Sequence, residues 1–187
     1  MKILVYGAGG VGGFFGGLLA RAGADVHFVA RGAHLDALRR DGLTIRSHVL
    51  GDIHLPRVSA VAGAAALGRV DLALVCVKTH QMPGILDDLA TAVGPDTLIV
   101  PLQNGVEADE QLAARFGAAR VVPAVVYVGA TLEEPGVISH VAAGKIGIGA
   151  TRDLDSTAWL PRFATSWRRP VSLSTSPTTS SGNAGIS

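Results

Sequence analysis

The sequence predicts an α/β fold, a mostly parallel sheet wound on both faces by helices, and three observations predict it. Short apolar runs of strand length alternate with segments of helical periodicity through the first 115 residues, which is the pattern of a parallel sheet covered by crossover helices. A glycine-rich turn joins the first such strand to the first helix at the start of the chain. A second strand then ends about 20 residues beyond that turn, the spacing of a βαβ unit.

Each element follows in order. "KILVY" (2–6) is a continuous apolar run of strand length, and "VGGFFGGLLARAG" (11–23) has apolar residues at helical spacing with a glycine stop at Gly23. "DVHFVA" (25–30) is the next strand, and "AHLDALRRDG" (33–42) a second helix closed by Gly42. Polar and apolar residues of "LTIRSHVLGDIHLPRV" (43–58) alternate around Gly51-Asp52, which predicts a hairpin. The strand "DLALVCV" (71–77), the helix "MPGILDDLATAVG" (82–94), the strand "TLIVPL" (97–102) and the helix "VEADEQLAARFG" (106–117) complete the alternation. After residue 120 the chain turns into an apolar, glycine-broken series of short strands, expected to extend the sheet. From Pro170 to Ser187, nine of eighteen residues are Ser or Thr without apolar periodicity, so a disordered tail is expected there.

Composition narrows the function classes. The 187 residues are 48% hydrophobic and carry a net charge of +1, sixteen basic groups against fifteen acidic ones. No run of like charge is longer than Arg39-Arg40 or Arg168-Arg169, so neither a nucleic-acid footprint nor a polybasic membrane anchor is predicted. Glycines at 7, 9, 10, 12, 13, 16 and 17 interrupt the N-terminal apolar stretch, which argues against a secretory signal. No stretch reaches the roughly 18 uncharged apolar residues of a membrane span. The single cysteine, Cys76, excludes an internal disulfide and sits in an apolar run, as a buried, inert thiol would. A cytoplasmic location fits that usage. No Cys/His spacing implies a metal.

The glycine turn carries the chemistry. Gly7-Ala8-Gly9-Gly10-Val11-Gly12 satisfies G-x-G-x-x-G between a strand and a helix, the context in which that pattern binds a dinucleotide on a Rossmann-type sheet. Gly7 would permit the turn, Gly9 the approach of the pyrophosphate, and Gly12 the packing of helix on sheet. Free N–H groups and the helix dipole would meet the diphosphate. A glycine-rich turn without a ligand is the alternative.

The second strand decides the cofactor. An NAD site places Asp or Glu at its end to bind the ribose hydroxyls, whereas a 2′-phosphate repels a carboxylate and attracts a guanidinium. That position is Arg31, and no acidic residue follows before Asp36, so NADP(H) is predicted. His34, Arg39 and Arg40 stand near it in sequence, either as added positive potential or as a solvated helix face. Strand ends supply a second set of candidates, Lys78-Thr79-His80-Gln81 and Gln103-Asn104-Gly105. Lys78 would face the cofactor or an anionic substrate, and Asn104 the nicotinamide ribose or a substrate oxygen; exposed turn residues are the alternative.

On these residues the chain resembles the N-terminal half of the ketopantoate reductase (2-dehydropantoate 2-reductase) family. The likeness rests on "KILVYGAGGVGGFFGGLLARAGADVHFVARGAHLDALRRDGLTIRS", "VCVKTHQ" and "PLQNGVEADEQL", in that order, and covers roughly residues 1–150. It implies a Rossmann NADP-binding domain over 1–150, Arg31 at the 2′-phosphate, Lys78 and Gln81 along the cofactor, and Asn104 beside nicotinamide and substrate as the catalytic candidate. It implies reduction of a small 2-oxo acid, 2-dehydropantoate to pantoate, with a lysine after the first domain as general acid. Residues 151–169 would begin a connecting helix.

The sequence departs from the family pattern at that point. After "DSTAWLPRFATSW" (155–167) comes "RRPVSLSTSPTTSSGNAGIS", and no lysine follows Lys145. The expectation is a truncated chain, its helical substrate domain largely absent and catalysis impaired. Its exposed "AVVYVGA" face is expected to favour self-association. An NADP(H)-binding module without turnover is the alternative function.

Overall fold

The computed structural model describes residues 1–103 and 107–149, together with the backbone of residues 172–176. In chain order the elements are β1 (Lys2–Tyr6), α1 (Gly10–Arg21), β2 (Asp25–Val29), α2 (Gly32–Arg40), β3 (Leu43–Ser47), β4 (Ile53–Leu55) and β5 (Ser59–Val61). There follow β6 (Val70–Val75), α3 (Leu86–Ala90), β7 (Val93–Pro101), α4 (Glu107–Phe116), β8 (Ala124–Glu134), β9 (Val137–Gly149) and β10 (Ser172–Ser176). Single 3₁₀ segments occupy Ala64–Ala66, Thr79–Gly84 and Ala118–Arg120.

Two five-stranded sheets result. The first has the order β5-β2-β1-β6-β7 with every neighbouring pair parallel. The chain winds outward from β1 through β2 to β5, then returns to β6 on the other side of β1. That reversal opens a crevice at the carboxyl ends of β1 and β6, where open parallel sheets bind ligands. The continuous apolar runs of the sequence are explained by burial on both faces. Ile3 and Val5 of β1 enter one core with α1, α2 and the second sheet, while Leu4 and Tyr6 enter another with α3 and α4.

Helix α1 lies between the two sheets, and its glycines make that possible. A Cβ on Gly16 would come within 2.5 Å of Phe28 in the first sheet. On the second-sheet side, a Cβ would meet the Ile138 side chain at 2.7 Å from Gly13, the Ile45 side chain at 2.7 Å from Gly17, and the Ala130 carbonyl from Gly10. Each glycine costs a helix about 1 kcal/mol relative to alanine, so α1 is held by packing on both sides rather than by propensity. Phe14, Phe15, Leu18 and Leu19 fill the remaining space and are almost fully buried.

The second sheet has the order β10-β9-β3-β4, with β8 on β9. The hairpin expected around Gly51-Asp52 is present as antiparallel β3 and β4; Gly51 has φ 73° and Asp52 accepts the Ser47 N–H at 3.1 Å. The expectation that the strands after residue 120 extend the first sheet is corrected. Pro135-Gly136, with Gly136 at φ 83°, turns β8 back on β9 as a long antiparallel hairpin, and β9 pairs with β3 instead. His140 joins the two strands from within: Ser47 Oγ lies 2.8 Å from its Nδ1, its Nε2 donates to the Ala143 carbonyl at 3.0 Å, and its ring stacks on Phe14 at 4.1 Å.

Two further expectations change. The helix read over 82–94 is a 3₁₀ segment with Pro83 inside it followed by the five-residue α3, because proline interrupts helical hydrogen bonding. Part of the expected tail, residues 172–176, is the strand β10, parallel to β9 from Lys145 to Gly149. Composition misled there because an edge strand is held by main-chain hydrogen bonds that Ser and Thr make as well as any residue, and β3 pairs with β9 only from Val137 to His140. The rest of the tail and the connecting helix expected over 151–169 lie outside the described residues. No helix among the described residues is long and apolar enough to cross a membrane.

Candidate functional site

The crevice at the ends of β1 and β6 holds two adjoining cavities of about 470 and 550 Å³. Gly7, Gly9, Val77, Gln81 and Leu132 border both, so they are two lobes of one cleft. The first lobe reaches the end of β2 at Arg31 and His34, and the second reaches Lys78. Of the residues named from sequence, Gly7, Ala8, Gly9, Gly10, Val11, Arg31, Lys78 and Gln81 all line this cleft. Asn104 lies outside the described residues.

The three motif glycines do different work. Gly7 has φ 99°, a left-handed conformation that favours glycine, and its N–H donates to the Val29 carbonyl at 3.1 Å, so the turn is anchored to the end of β2. Gly12 borders neither lobe; a Cβ there would collide with the Gly7 carbonyl oxygen and come within 3.0 Å of Val5 and Cys76. Gly9 caps α1, and a Cβ on it would have nothing within 4 Å. The space in front of Gly9 is therefore open cleft. The first N–H groups of α1 have no partner within the helix and carry the positive end of its dipole. A cradle that only a backbone without a side chain leaves open, facing free amides, fits a pyrophosphate.

Arg31 lies two residues beyond β2 as the residue capping α2, exposed and at the rim of the first lobe. Lys78 is exposed at the second lobe, so one cation stands at each end of the cleft. Gln81 is partly occupied: its Oε1 accepts the Lys78 N–H at 3.1 Å and its own N–H donates to the Lys78 carbonyl at 2.8 Å, fixing the 3₁₀ turn. Gln103, at the end of β7, is 8% exposed and its buried Nε2 has no partner among the described residues, while its Oε1 lies 3.5 Å from Thr79 Oγ1.

His34 is not a source of positive potential. Its Nδ1 accepts the Gly136 N–H at 2.9 Å, which leaves the proton on Nε2 for donation to the Ala8 carbonyl at 2.7 Å. Burial pushes its pKa below the ordinary 6.5, against the opposing pull of the Ala8 carbonyl. It is a neutral strap between the glycine loop and the β8–β9 turn. Arg39 donates to the Ala60 carbonyl at 3.1 Å and Arg40 pairs with Asp41 at 2.6 Å, both as exposed surface contacts outside the cleft. Cys76 borders the second lobe, and burial raises its thiol well above the usual range, in keeping with an inert group. Lys145 is exposed on β9 opposite Tyr127 and borders neither lobe. The described residues contain no group of His, Cys, Asp or Glu able to hold a metal ion.

Sequence reasoning missed five residues. Leu132 and its β8 neighbours Ala130 and Thr131 wall the cleft, because the second sheet crosses over the glycine loop. Tyr6, 2% exposed, lines the first lobe from β1 and donates to Asp88 Oδ2 at 2.6 Å. Its one sequence signal was a hydroxyl-bearing residue ending an aliphatic strand. Asp88 carried no signal beyond its place inside the helix expected over 82–94.

Comparison with known proteins extends the geometry. The family model described as ketopantoate reductase PanE/ApbA matches residues 3–153. A 2-dehydropantoate 2-reductase of Mesorhizobium japonicum is 33% identical over 170 residues, covering 80% of this chain and 52% of that protein. The crystal structure of 2-dehydropantoate 2-reductase from Geobacter metallireducens matches with a TM-score of 0.87 and 33% identity, over 94% of this chain and 58% of that one. The ternary structure of D-mandelate dehydrogenase with NADH and anilino(oxo)acetate, 21% identical with a TM-score of 0.80 over 93% of this chain and 57% of that one, shares the fold. The chain spans about half the length of the curated relatives it matches. With its Rossmann-type sheet, its glycine cradle and a family match over most of its length, the chain belongs to the ketopantoate reductase PanE/ApbA family.

Proposed function

We propose that this chain is the NADP(H)-binding half of a 2-dehydropantoate 2-reductase, and that by itself it binds the cofactor but turns over slowly or not at all. The observation that carries the first part is Arg31 at the rim of a lobe whose floor is the open Gly9. The family is NADPH-dependent, and a guanidinium with no carboxylate at the end of β2 favours a 2′-phosphate over free ribose hydroxyls. The loop amides and the α1 N-terminus would hold the pyrophosphate, and Lys78 the far end of the cofactor or the carboxylate of a 2-oxo acid. Bound nicotinamide would supply a hydride to the substrate carbonyl.

The second part rests on the proton. A carbonyl oxygen that gains charge as hydride arrives needs a proton or a strong hydrogen bond. Lys145, exposed on β9, borders neither lobe of the cleft. Asn104 remains the candidate for orienting that oxygen. A second reading, a module that holds NADP(H) for another subunit without chemistry of its own, is favoured by the same observation.

Titration with NADPH while following nicotinamide fluorescence, then addition of 2-dehydropantoate, tests both parts. Binding without oxidation is the expected result. Turnover at an ordinary dehydrogenase rate, about 1–10³ per second, would refute the second part. Arg31→Ala should weaken NADPH far more than NADH; equal losses would refute the assignment of the 2′-phosphate.

A further inference from the structure

Asp88 sits behind the adenosine end of the cleft, held by several donors. Its Oδ2 accepts the Tyr6 hydroxyl at 2.6 Å and the Ala64 N–H at 2.8 Å, and its Oδ1 accepts the Ala65 N–H at 3.4 Å. Gly63 leaves the room for it, since a Cβ there would come within 2.9 Å of Oδ1. Burial opposes its charge, but the hydrogen bonds from Tyr6, Ala64 and Ala65 and the positive charge of Arg31 prevail and hold the carboxyl below its usual range. An ionised carboxylate can only accept. The single hydroxyl proton of Tyr6 is therefore committed to Asp88, and what the phenol oxygen has left are lone pairs.

Arg31 acts on that oxygen. Arg31 and Tyr6 line the same lobe, and the positive charge of the guanidinium favours the ionised forms of both the Tyr6 hydroxyl and Asp88. Arg31 and Asp88 are not among the direct ion pairs of the described residues. Asp88 therefore does not neutralise the arginine by direct contact, and the Tyr6 hydroxyl that it orients belongs to a side chain lining the same lobe as the guanidinium. An exposed arginine gives up rotamer freedom when it grips a phosphate, and an acceptor fixed behind it removes part of that loss in advance.

We propose that Tyr6 is a positioning residue for recognition of the 2′-phosphate: oriented by Asp88, its hydroxyl holds the Arg31 guanidinium at the adenosine end of the cleft. The inference rests on the reading of Arg31 given above and extends it to a strand residue that lies outside the glycine motif.

The test measures dissociation constants of NADPH and NADH, by nicotinamide fluorescence, for the 187-residue chain and for Tyr6→Phe, Arg31→Ala and the double variant. Tyr6→Phe keeps the ring and removes the hydroxyl. It should lower the preference for NADPH over NADH by about fivefold, the worth of one net hydrogen bond, and should leave the preference of the Arg31→Ala chain unchanged. Equal weakening of both cofactors would assign the hydroxyl a purely structural role and overturn the proposal. So would an intact preference in Tyr6→Phe beside a collapsed one in Arg31→Ala, a result that leaves the Arg31 reading standing. If Arg31→Ala itself keeps the preference, the Arg31 reading fails first and Tyr6 with it.

A second measurement does not depend on Tyr6→Phe folding. The chain has two tyrosines, so Tyr127→Phe leaves Tyr6 as the sole tyrosine reporter. Saturation with adenosine 2′,5′-bisphosphate should perturb its near-ultraviolet absorption, and adenosine 5′-monophosphate should not. A silent tyrosine spectrum with the bisphosphate would overturn the proposal.

Discussion

Replacing Gly9 by alanine separates binding from folding at the cleft. Gly9 has φ −68° and ψ −160°, extended backbone open to alanine, and its added methyl would meet no atom within 4 Å. Two effects on stability oppose each other. Alanine stiffens the unfolded chain, which stabilises by about 0.4–1 kcal/mol, but is a poorer helix cap than glycine. Thermal or urea stability should therefore move by less than about 1 kcal/mol. Binding should change far more, because the methyl projects into the space through which a phosphate oxygen reaches the loop amides. Loss of one charge-assisted hydrogen bond, about 1.5–3 kcal/mol, corresponds to about 10- to 150-fold in Kd for NADPH. Gly12→Ala is the opposite case. Its methyl would strike the Gly7 carbonyl, a backbone atom that cannot swing aside, so it should destabilise the fold by about 1–3 kcal/mol. Fluorescence titration and urea unfolding of both variants check the pair. Wild-type NADPH affinity in Gly9→Ala would refute the placement of the pyrophosphate on this loop, and a stable Gly12→Ala would refute the packing role.

His34 and Ala143 give two further outcomes. His34 is held neutral by burial, with a folded pKa below the ordinary 6.5, so the unfolded chain takes up its proton first. Its contribution to stability is complete above pH 6.5 and is lost as pH falls from there through the folded value. His34→Leu should lower stability at pH 7 by about 1–3 kcal/mol, because it orphans the Gly136 N–H and the Ala8 carbonyl, and should flatten the dependence below pH 6.5; urea midpoints from pH 5 to 8 measure both, and an unchanged slope would contradict the assignment. Ala143 has φ 60° at the irregularity of β9. Ala143→Gly should relieve that strain and stabilise the chain by about 0.5–1 kcal/mol net of the freer unfolded state, and a lower urea midpoint would show that the left-handed backbone carries no strain.

The parts of the site that could be read from the sequence are those that depend on near neighbours. Gly7, Gly9 and Gly12 could be told apart because a tight turn, a ligand approach and a close helix packing recur at fixed offsets. Arg31 could be named as a lining residue of the cleft because it closely follows the strand after the loop. The same local view failed at Gly13 and Gly17, whose reason is a second sheet on the far face of α1, and at Gly16, which makes room for Phe28 of the first; it failed too at β8, whose position over the loop depends on the Pro135-Gly136 turn and on the pairing of β9 with the distant β3. From sequence His34 stood open between added positive potential and a solvated helix face, and it is neither, because Gly136, 102 residues away, donates to its Nδ1.

Sequence by itself determined that a strand, a glycine turn and a helix open the chain, and that a guanidinium rather than a carboxylate follows the second strand. Both are matters of covalent spacing and of the backbone conformations that particular residues allow, and neither needs knowledge of distant partners. Tertiary structure alone decided that two sheets clasp α1, that Leu132 walls the cleft, and that Tyr6 meets Asp88 across 82 residues. Those contacts arise when the chain closes on itself to bury apolar surface, and burial forces a hydroxyl, a carboxylate or an imidazole to find a partner wherever the fold has brought one. No period of two or of 3.6 residues encodes such a meeting.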